Sequence, residues 1–170
     1  MIRVVLDDLA VLPTDAIVRP ATTRLDAATA SVRRLEEAGG AEFRDRLQLQ
    51  KELAVGAAVV TGGGGRLPAE FIIHAVIQGE SEPVTRGSVA RAWLSALERA
   101  REWEFARLTV PPLGTGAGNL SVEDAAAVMV TVLSQTGSAP FPSDVCVVVE
   151  TAEDLATFET AVRRVHAAES

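Results

Sequence analysis

The chain has 170 residues, which suits one domain, and 48% of them are apolar, which is enough for a sizeable core. Its net charge is −7, from 16 basic and 23 acidic residues, and this balance argues against a nucleic-acid groove, which needs a basic face. A small anion held by backbone N–H groups remains compatible with the charge, because such a site needs no basic side chain.

The sequence carries no targeting or metal signal. Cys146 is the only cysteine, and its place in the apolar run Val145–Val149 predicts a buried, inert thiol. The two histidines, His74 and His166, provide no metal-ligand spacing. Because there is neither a signal-peptide pattern nor a segment apolar enough to span a bilayer, we expect a soluble cytoplasmic protein with no cofactor and no membrane partner.

The first half of the chain is predicted to contain four strands and one helix. In chain order these are the strands Ile2–Leu6 and Asp15–Val18, the helix Ser31–Ala38, and the strands Ala57–Thr61 and Phe71–Val76. Leu9–Pro13 should turn the chain, and Pro20 is expected to end the second strand. The helix should stop at Gly39-Gly40, and the polar residues Glu42–Leu53 continue as a helix or an irregular loop.

The second half alternates helices and strands. In chain order they are the helix Val84–Trp103, a strand that begins near Phe105 and is completed by Leu108–Val110, a helix from Val122 to about Leu133, the strand Val145–Val149 and a helix from about Glu153 to Ala167. Helical spacing of apolar residues predicts a buried face for the first helix, and Trp93 and Trp103 are interpreted as packing residues. Ser121 and Asp124 resemble a capping box.

This alternation predicts one α/β domain over residues 1–170, with a largely parallel sheet covered by helices on both faces. In such sheets, ligands bind beyond the carboxyl ends of the strands. The loop Pro111–Asn119 lies at such an end, between a strand and a capped helix, and it has glycines at alternate positions. Glycines allow close backbone approach, and a helix start favours anions, so we interpret this loop as a phosphate or diphosphate site to which Thr115 adds a hydroxyl. The alternative is a tight turn without a ligand, and Gly62–Gly65 is interpreted as a hairpin or crossover turn.

Three stretches together resemble the macrodomain family. Asp8 and Asp15 keep the seven-residue spacing of the family's G-D-I-T and V-D-A-I-V motifs. Val55–Thr61 and Leu67–Val76 are similar to its T-G-x-A-x-x-T and L-P-A-x-x-V-I-H-x-V stretch, and the loop from Pro111 is similar to P-A-x-G-T-G-x-x-G. The resemblance runs from Ile2 through the final helix. It implies a three-layer α/β/α sandwich around a mixed, largely parallel sheet, with ADP-ribose lying across its top.

The resemblance also implies a set of ligand contacts. Asp8 takes the place that accepts from the adenine amino group, and its alternative role is a turn residue before Leu9. The loop that holds the diphosphate and distal ribose corresponds to Gly114, Thr115, Gly116, Ala117 and Gly118. Leu113 should help to shape the floor beneath them.

The chain departs from the family pattern at several of its motifs. The N-A-A-N stretch falls on Arg19-Pro20-Ala21-Thr22, so Thr22 stands where an asparagine contacts the distal ribose. The first glycine loop falls on Ala27–Val32 and has no glycine, and Glu150–Ala152 has no aromatic residue for adenine. Arg19 offers either a bidentate phosphate contact that compensates for the lost loop or a pair with a surface carboxylate. His74 corresponds to a position with a structural hydrogen bond and is interpreted as a satisfied core histidine.

These observations support a binding module for ADP-ribose or a related phosphorylated nucleoside, without efficient hydrolysis. An ADP-ribosylated protein is a further expected partner. Two alternatives stay open: a degenerate macrodomain with a structural or protein-interaction role, and a weak ADP-ribosyl hydrolase. Neither the cognate ligand nor the oligomeric state follows from the sequence.

Overall fold

The computed structural model describes residues 1–26, 30–48, 52–116, 119–136 and 139–169, and within these ranges it contains six strands and four helices. In chain order they are β1 (Ile2–Leu6), β2 (Ala16–Thr22), α1 (Ala30–Gln48), β3 (Ala58–Gly62), β4 (Phe71–Gln78), α2 (Arg86–Glu102), β5 (Arg107–Val110), α3 (Val122–Gln135), β6 (Asp144–Val149) and α4 (Ala152–Ala168). Each predicted strand and helix is therefore confirmed in type and place. In the same ranges, no helix combines the length and apolar character that crossing a membrane requires.

The six strands form one mixed sheet in the order β1-β6-β5-β2-β4-β3. Four of the pairings are parallel, and β3 pairs antiparallel with β4 at one edge. The predicted α/β architecture with a largely parallel sheet is thus confirmed. The carboxyl ends of β1, β6, β5 and β2 lie side by side at one edge, which is where a parallel sheet places its ligands.

The helices cover the two faces unequally. Helices α2, α3 and α4 pack on one face around a core that includes Trp93 and Met129, both completely buried. On the other face, α1 packs Leu35 and Phe43 against Ile17 of β2. The buried residues of β2, β4 and β6 alternate between the two cores, as expected for strands covered on both sides.

The structure corrects the prediction that β2 ends at Pro20. The strand continues to Thr22, and Pro20 is buried within it. The register of β2 against β5 covers only Ala16 and Ile17, whereas its register against β4 runs the whole length of the strand. One side of β2 at Pro20 therefore lies beyond its paired neighbour, and a residue without an N–H is tolerated there.

The predicted helix break at Gly39-Gly40 appears as a kink. Helix α1 continues to Gln48, but Gly40 has φ 69° and ψ −158°, which no helix contains. The second glycine cluster joins β3 to β4 as a hairpin and packs against this kink, where Arg66 N–H donates to the Ala38 carbonyl at 2.7 Å. A Cβ at Gly65 would lie 2.3 Å from the same oxygen, so this glycine is required by close backbone approach.

The burial of Cys146 and the two tryptophans bears on their predicted roles. Cys146 is 2% exposed, so its predicted burial is confirmed, and the burial raises the pKa of its thiol, which supports the inert-thiol interpretation. Trp103 differs from Trp93: it is half-exposed at the end of α2, where its ring stacks on Phe105 and contacts Phe71. It therefore packs on one side only.

Candidate functional site

A crevice of about 320 Å³ lies at the carboxyl ends of β1, β5 and β6. Its lining combines apolar residues, carboxylates and the backbone of the glycine loop: Asp7, Leu9, Pro111, Pro112, Thr115, Gly116, Val122, Val148, Glu150 and Asp154. The adjacent parallel strands position it, because each strand delivers its following loop to the same edge of the sheet.

The glycines of the loop after β5 have separate tasks. Gly114 is buried with φ 91°, and a Cβ there would come within 2.9 Å of Leu120 and Val89. Its carbonyl accepts from the Leu120 N–H at 3.1 Å, which closes the loop. Gly116 is exposed, has φ 75° and lies on the crevice. Gly114 therefore shapes the loop, and Gly116 is the glycine that a ligand can approach.

We expect Gly114→Ala to lower the free energy of unfolding by about 1–2 kcal/mol, because φ 91° is unfavourable for alanine and its methyl group would crowd Leu120 and Val89. Urea denaturation followed by tryptophan fluorescence measures the change. The matched control is Gly87→Ala in the first turn of α2, where the nearest atom to a new Cβ is 3.4 Å away. An equal loss in both variants would contradict the assignment.

Thr115 and Gly116 line the crevice. Among the described residues, no protein acceptor is paired with their backbone N–H groups. At the start of α3, Ser121 Oγ accepts from the Asp124 N–H at 3.1 Å, as the predicted cap implies, so this N–H of the first turn is already paired. An anion at this site would thus depend more on the loop than on the first turn of the helix.

The walls of the crevice are acidic. Asp7 follows β1, Glu150 follows β6, and Asp154 lies in the first turn of α4, where its N–H donates to Thr151 Oγ1 at 3.1 Å. Glu150 accepts a hydrogen bond from Arg34 of α1. Within the described part of the chain, no group of three or more His, Cys, Asp or Glu side chains is arranged to hold a metal ion.

Asp8 does not line this crevice. Its Oδ1 accepts from the Ala10 N–H at 2.8 Å, and its carbonyl accepts from the Val11 N–H at 3.1 Å. Its hydrogen bonds are those of the turn after β1, the alternative role considered above. The neighbouring Asp7 is the carboxylate that reaches the crevice.

Arg19 points into the protein. Its side chain is completely buried; Nε donates to His74 Nδ1 at 2.7 Å, Nη1 donates to Glu36 Oε1 at 2.7 Å, and Nη2 donates to the Leu25 carbonyl. Burial lowers the pKa of the guanidinium, whereas Glu36 raises it. The hypothesis of a phosphate contact is therefore corrected: the guanidinium is enclosed and engaged by protein acceptors.

His74 is a satisfied core histidine, as predicted. It accepts from Arg19 at Nδ1, and its Nε2 lies 2.7 Å from Thr61 Oγ1, which in turn donates to the Gly62 carbonyl. The ring also stacks on Phe43 at 5.9 Å. Burial first, and then the Arg19 charge, hold the pKa of His74 well below its ordinary value, so the ring is neutral.

The remaining predicted site residues are spread over the loop region. Thr22 Oγ1 accepts from the Asp26 N–H at 3.1 Å and from the Arg24 N–H at 3.3 Å, so it organises the loop after β2. Leu113 is completely buried in the core and does not line the crevice. Ala117 and Gly118 lie outside the described residues, as do residues 27–29 of the altered first loop.

Sequence reasoning missed the three crevice carboxylates. Asp7 and Glu150 each come directly after a strand, and this was a usable signal, because the ends of neighbouring parallel strands meet. Asp154 had no comparable signal, since an acidic residue in the first turn of a helix is common on electrostatic grounds alone.

Comparison with known proteins gives this site its context. The model of the family described as "Macro domain" matches residues 18–129, which is more than half of the chain. The chain belongs to the macro domain family. An uncharacterized protein of Aeropyrum pernix is 32% identical over 129 residues, which cover 74% of this macrodomain and 67% of that protein. A macro domain-containing protein of Caldanaerobacter subterraneus is 30% identical over 131 residues, with 71% of each chain covered.

Solved structures show the same fold. The Oceanobacillus iheyensis macrodomain with ADP has a TM-score of 0.82 at 22% identity, covering 96% of this macrodomain and 90% of that chain. The Trypanosoma brucei macrodomain in complex with ADP has a TM-score of 0.81 at 18% identity, with coverage of 95% and 68%. A mutant of the Oceanobacillus iheyensis macrodomain is also solved with ADPR. By contrast, the macrodomain spans only about a third of an uncharacterized Mycobacterium tuberculosis protein, 34% of its length at 32% identity.

Proposed function

We propose that this macrodomain is a binding module for ADP-ribose or a related phosphorylated nucleoside, free or attached to a protein, and that it lacks efficient hydrolase activity. The observation that carries the proposal is the crevice lined by Thr115 and Gly116, whose backbone N–H groups have no acceptor among the described residues. Such donors hold a phosphate without a basic side chain. Structures with ADPR or ADP bound in two macrodomains of the same fold support this ligand class.

Two observations favour binding over hydrolysis. Thr22, at the position of the family's distal-ribose asparagine, accepts two loop N–H groups and so stabilises its own loop. The histidine beside β2, His74, is buried and hydrogen-bonded on both ring nitrogens, so it has no access to a substrate. Efficient hydrolysis needs a positioned water and a firmly held ribose, and neither residue is arranged to supply them.

A structural or protein-interaction role is the second candidate. The acidic crevice favours it, because the carboxylates of Asp7 and Asp154 would repel a diphosphate. Backbone N–H groups attract a diphosphate and the carboxylates repel it, and the stronger of the two effects decides whether the nucleotide binds. A binding measurement therefore distinguishes the two functions.

The deciding experiment is calorimetric titration with ADP-ribose, using ADP and AMP for comparison. We expect ADP-ribose to bind in the micromolar range and Gly116→Glu to weaken it at least tenfold, because the new carboxylate would occupy and repel the phosphate site. Gly40→Glu is the matched control: Gly40 has a similar φ of 69°, open space around its Cβ position and a place on the α1 kink.

Each outcome of this titration is informative. Binding that Gly116→Glu removes and Gly40→Glu retains would support the proposed site. Equal loss in the two variants would indicate a general effect of charge or strain. No heat with any of the three nucleotides would reject the binding module in favour of the interaction role.

A further inference from the structure

An ion pair bridges the crevice wall and the helix on the α1 face of the sheet. Arg34 Nη2 of α1 donates to Oε1 of Glu150, which directly follows β6 and lines the crevice. In the described part of the chain, two more exposed pairs lie at this end of the fold, Arg24–Glu80 and Arg86–Asp124, and neither contains a lining residue. Among the described residues, Arg34 is thus the cation that is paired with a residue of the crevice lining.

The lining itself has a deficit of positive charge. It contains the carboxylates of Asp7, Glu150 and Asp154, and none of its described residues is Lys, Arg or His. A diphosphate that entered this lining with backbone donors alone would face three like charges. Arg19, the other arginine considered for this task, is enclosed within the protein.

Arg34 can exchange its contact with Glu150 for a contact with a phosphate at little energetic cost. The two side chains are 48% and 55% exposed, and an ion pair in such a position contributes only about 0–1 kcal/mol. A phosphate offers a guanidinium a bidentate, charge-assisted contact that is stronger than this. The pair therefore holds the guanidinium beside the crevice without fixing it there.

We infer that Arg34 is the phosphate-contacting cation of this crevice, and that Glu150 holds it in the ligand-free protein and competes with the ligand for it. The inference rests on the proposed function and adds that the ligand must be negatively charged. A ligand must carry a diphosphate or a comparable anionic group to draw Arg34 from Glu150, and an uncharged nucleoside does not.

The test compares variants of the pair by calorimetric titration with ADP-ribose at low and high salt. Arg34→Gln is expected to weaken binding about tenfold and to reduce its salt dependence, because one charge-assisted contact is lost. Glu150→Gln is expected to strengthen binding severalfold, since it frees Arg34 and removes a repelling charge. In the double variant, the gain from Glu150→Gln should be smaller than in the single variant.

Arg3 and Asp144 provide matched controls. They form an ion pair at 2.9 Å at the amino ends of β1 and β6, away from the crevice at the carboxyl ends, and the Arg3 side chain is 49% exposed, close to that of Arg34. Arg3→Gln and Asp144→Asn make the same changes of charge, and we expect each to alter the dissociation constant by less than twofold.

The outcomes separate the inference from the proposed function. Binding by the wild type that Arg34→Gln leaves unchanged would overturn the inference alone. A wild type that binds no nucleotide, with a Glu150→Gln variant that binds ADP-ribose and needs Arg34 to do so, would support the inference and reject the binding function of the native chain. If neither protein binds, both are overturned.

Discussion

Arg19→Ala is expected to lower the free energy of unfolding by about 3–5 kcal/mol, the range for removing one partner of a buried ion pair. The substitution removes the hydrogen-bond donor of three acceptors: Nδ1 of His74, Oε1 of Glu36 and the Leu25 carbonyl. The Glu36 side chain is 23% exposed and can gain water, whereas Leu25 and His74 are buried at 2% and 0%. The volume of the lost side chain adds a cavity beside Phe43, over which the guanidinium lies at 5.7 Å.

Urea denaturation followed by far-UV circular dichroism measures this loss, with Arg24→Ala as the control. Arg24 lies on the loop after β2, next to Leu25. Its side chain is 70% exposed and forms an ion pair with Glu80 at 4.0 Å. Its removal should change stability by no more than about 0.5 kcal/mol. A loss below about 1 kcal/mol for Arg19→Ala would mean that the buried network is not a stabilising element.

The sequence predicted the elements well where local pattern and tertiary environment agree. Strand β1 has the predicted bounds Ile2–Leu6, because a β-branched run that ends at Asp7-Asp8 favours a strand over the alternatives. The prediction failed at Pro20, where local chemistry says that a strand should end. What permits the longer strand is the offset between β2 and β5, a property of two segments far apart in the chain. No local signal carries it.

The candidate site was predictable only in part, for a similar reason. The alternating glycines after β5 predicted a ligand site from the sequence alone, and Thr115 and Gly116 do line the crevice. The orientation of Arg19, by contrast, depends on tertiary contacts that the local sequence does not indicate. In the register of β2 against β4, Arg19 lies directly beside His74, and α1 brings Glu36 over the same point. These acceptors and the Leu25 carbonyl engage the guanidinium inside the protein, so it does not face a ligand.

The buried network also fixes the proton of His74. Arg19 can only donate, so Nδ1 of His74 must be the acceptor and the ring proton must lie on Nε2, from which it is donated to Thr61. The Thr61 hydroxyl then donates to the Gly62 carbonyl at 3.2 Å. A second ring proton would face the N–H of a cation within a dry core, and both effects disfavour it.

Stability should consequently decrease as the pH falls below about 6.5, the ordinary pKa of histidine in the unfolded chain. The pKa of His74 in the folded protein is well below that value. Between the two pKa values the unfolded chain binds one more proton than the folded chain, so the free energy of unfolding rises with pH in this window. The expected slope within this window is about 1.4 kcal/mol per pH unit, so the contribution of His74 falls by at most about 2 kcal/mol between pH 7.5 and pH 5.0.

Urea denaturation at these two pH values isolates the contribution of His74 when His74→Gln is measured beside the wild type. The Gln amide can accept from Arg19 and donate to Thr61 without titrating, so the variant should lose less stability than the wild type on acidification, by at most about 2 kcal/mol. His166→Gln removes the other histidine, which is exposed on α4, and should retain the wild-type difference. If His74→Gln kept the full pH dependence, other groups would be responsible, and the proton assignment on His74 would lose its thermodynamic support.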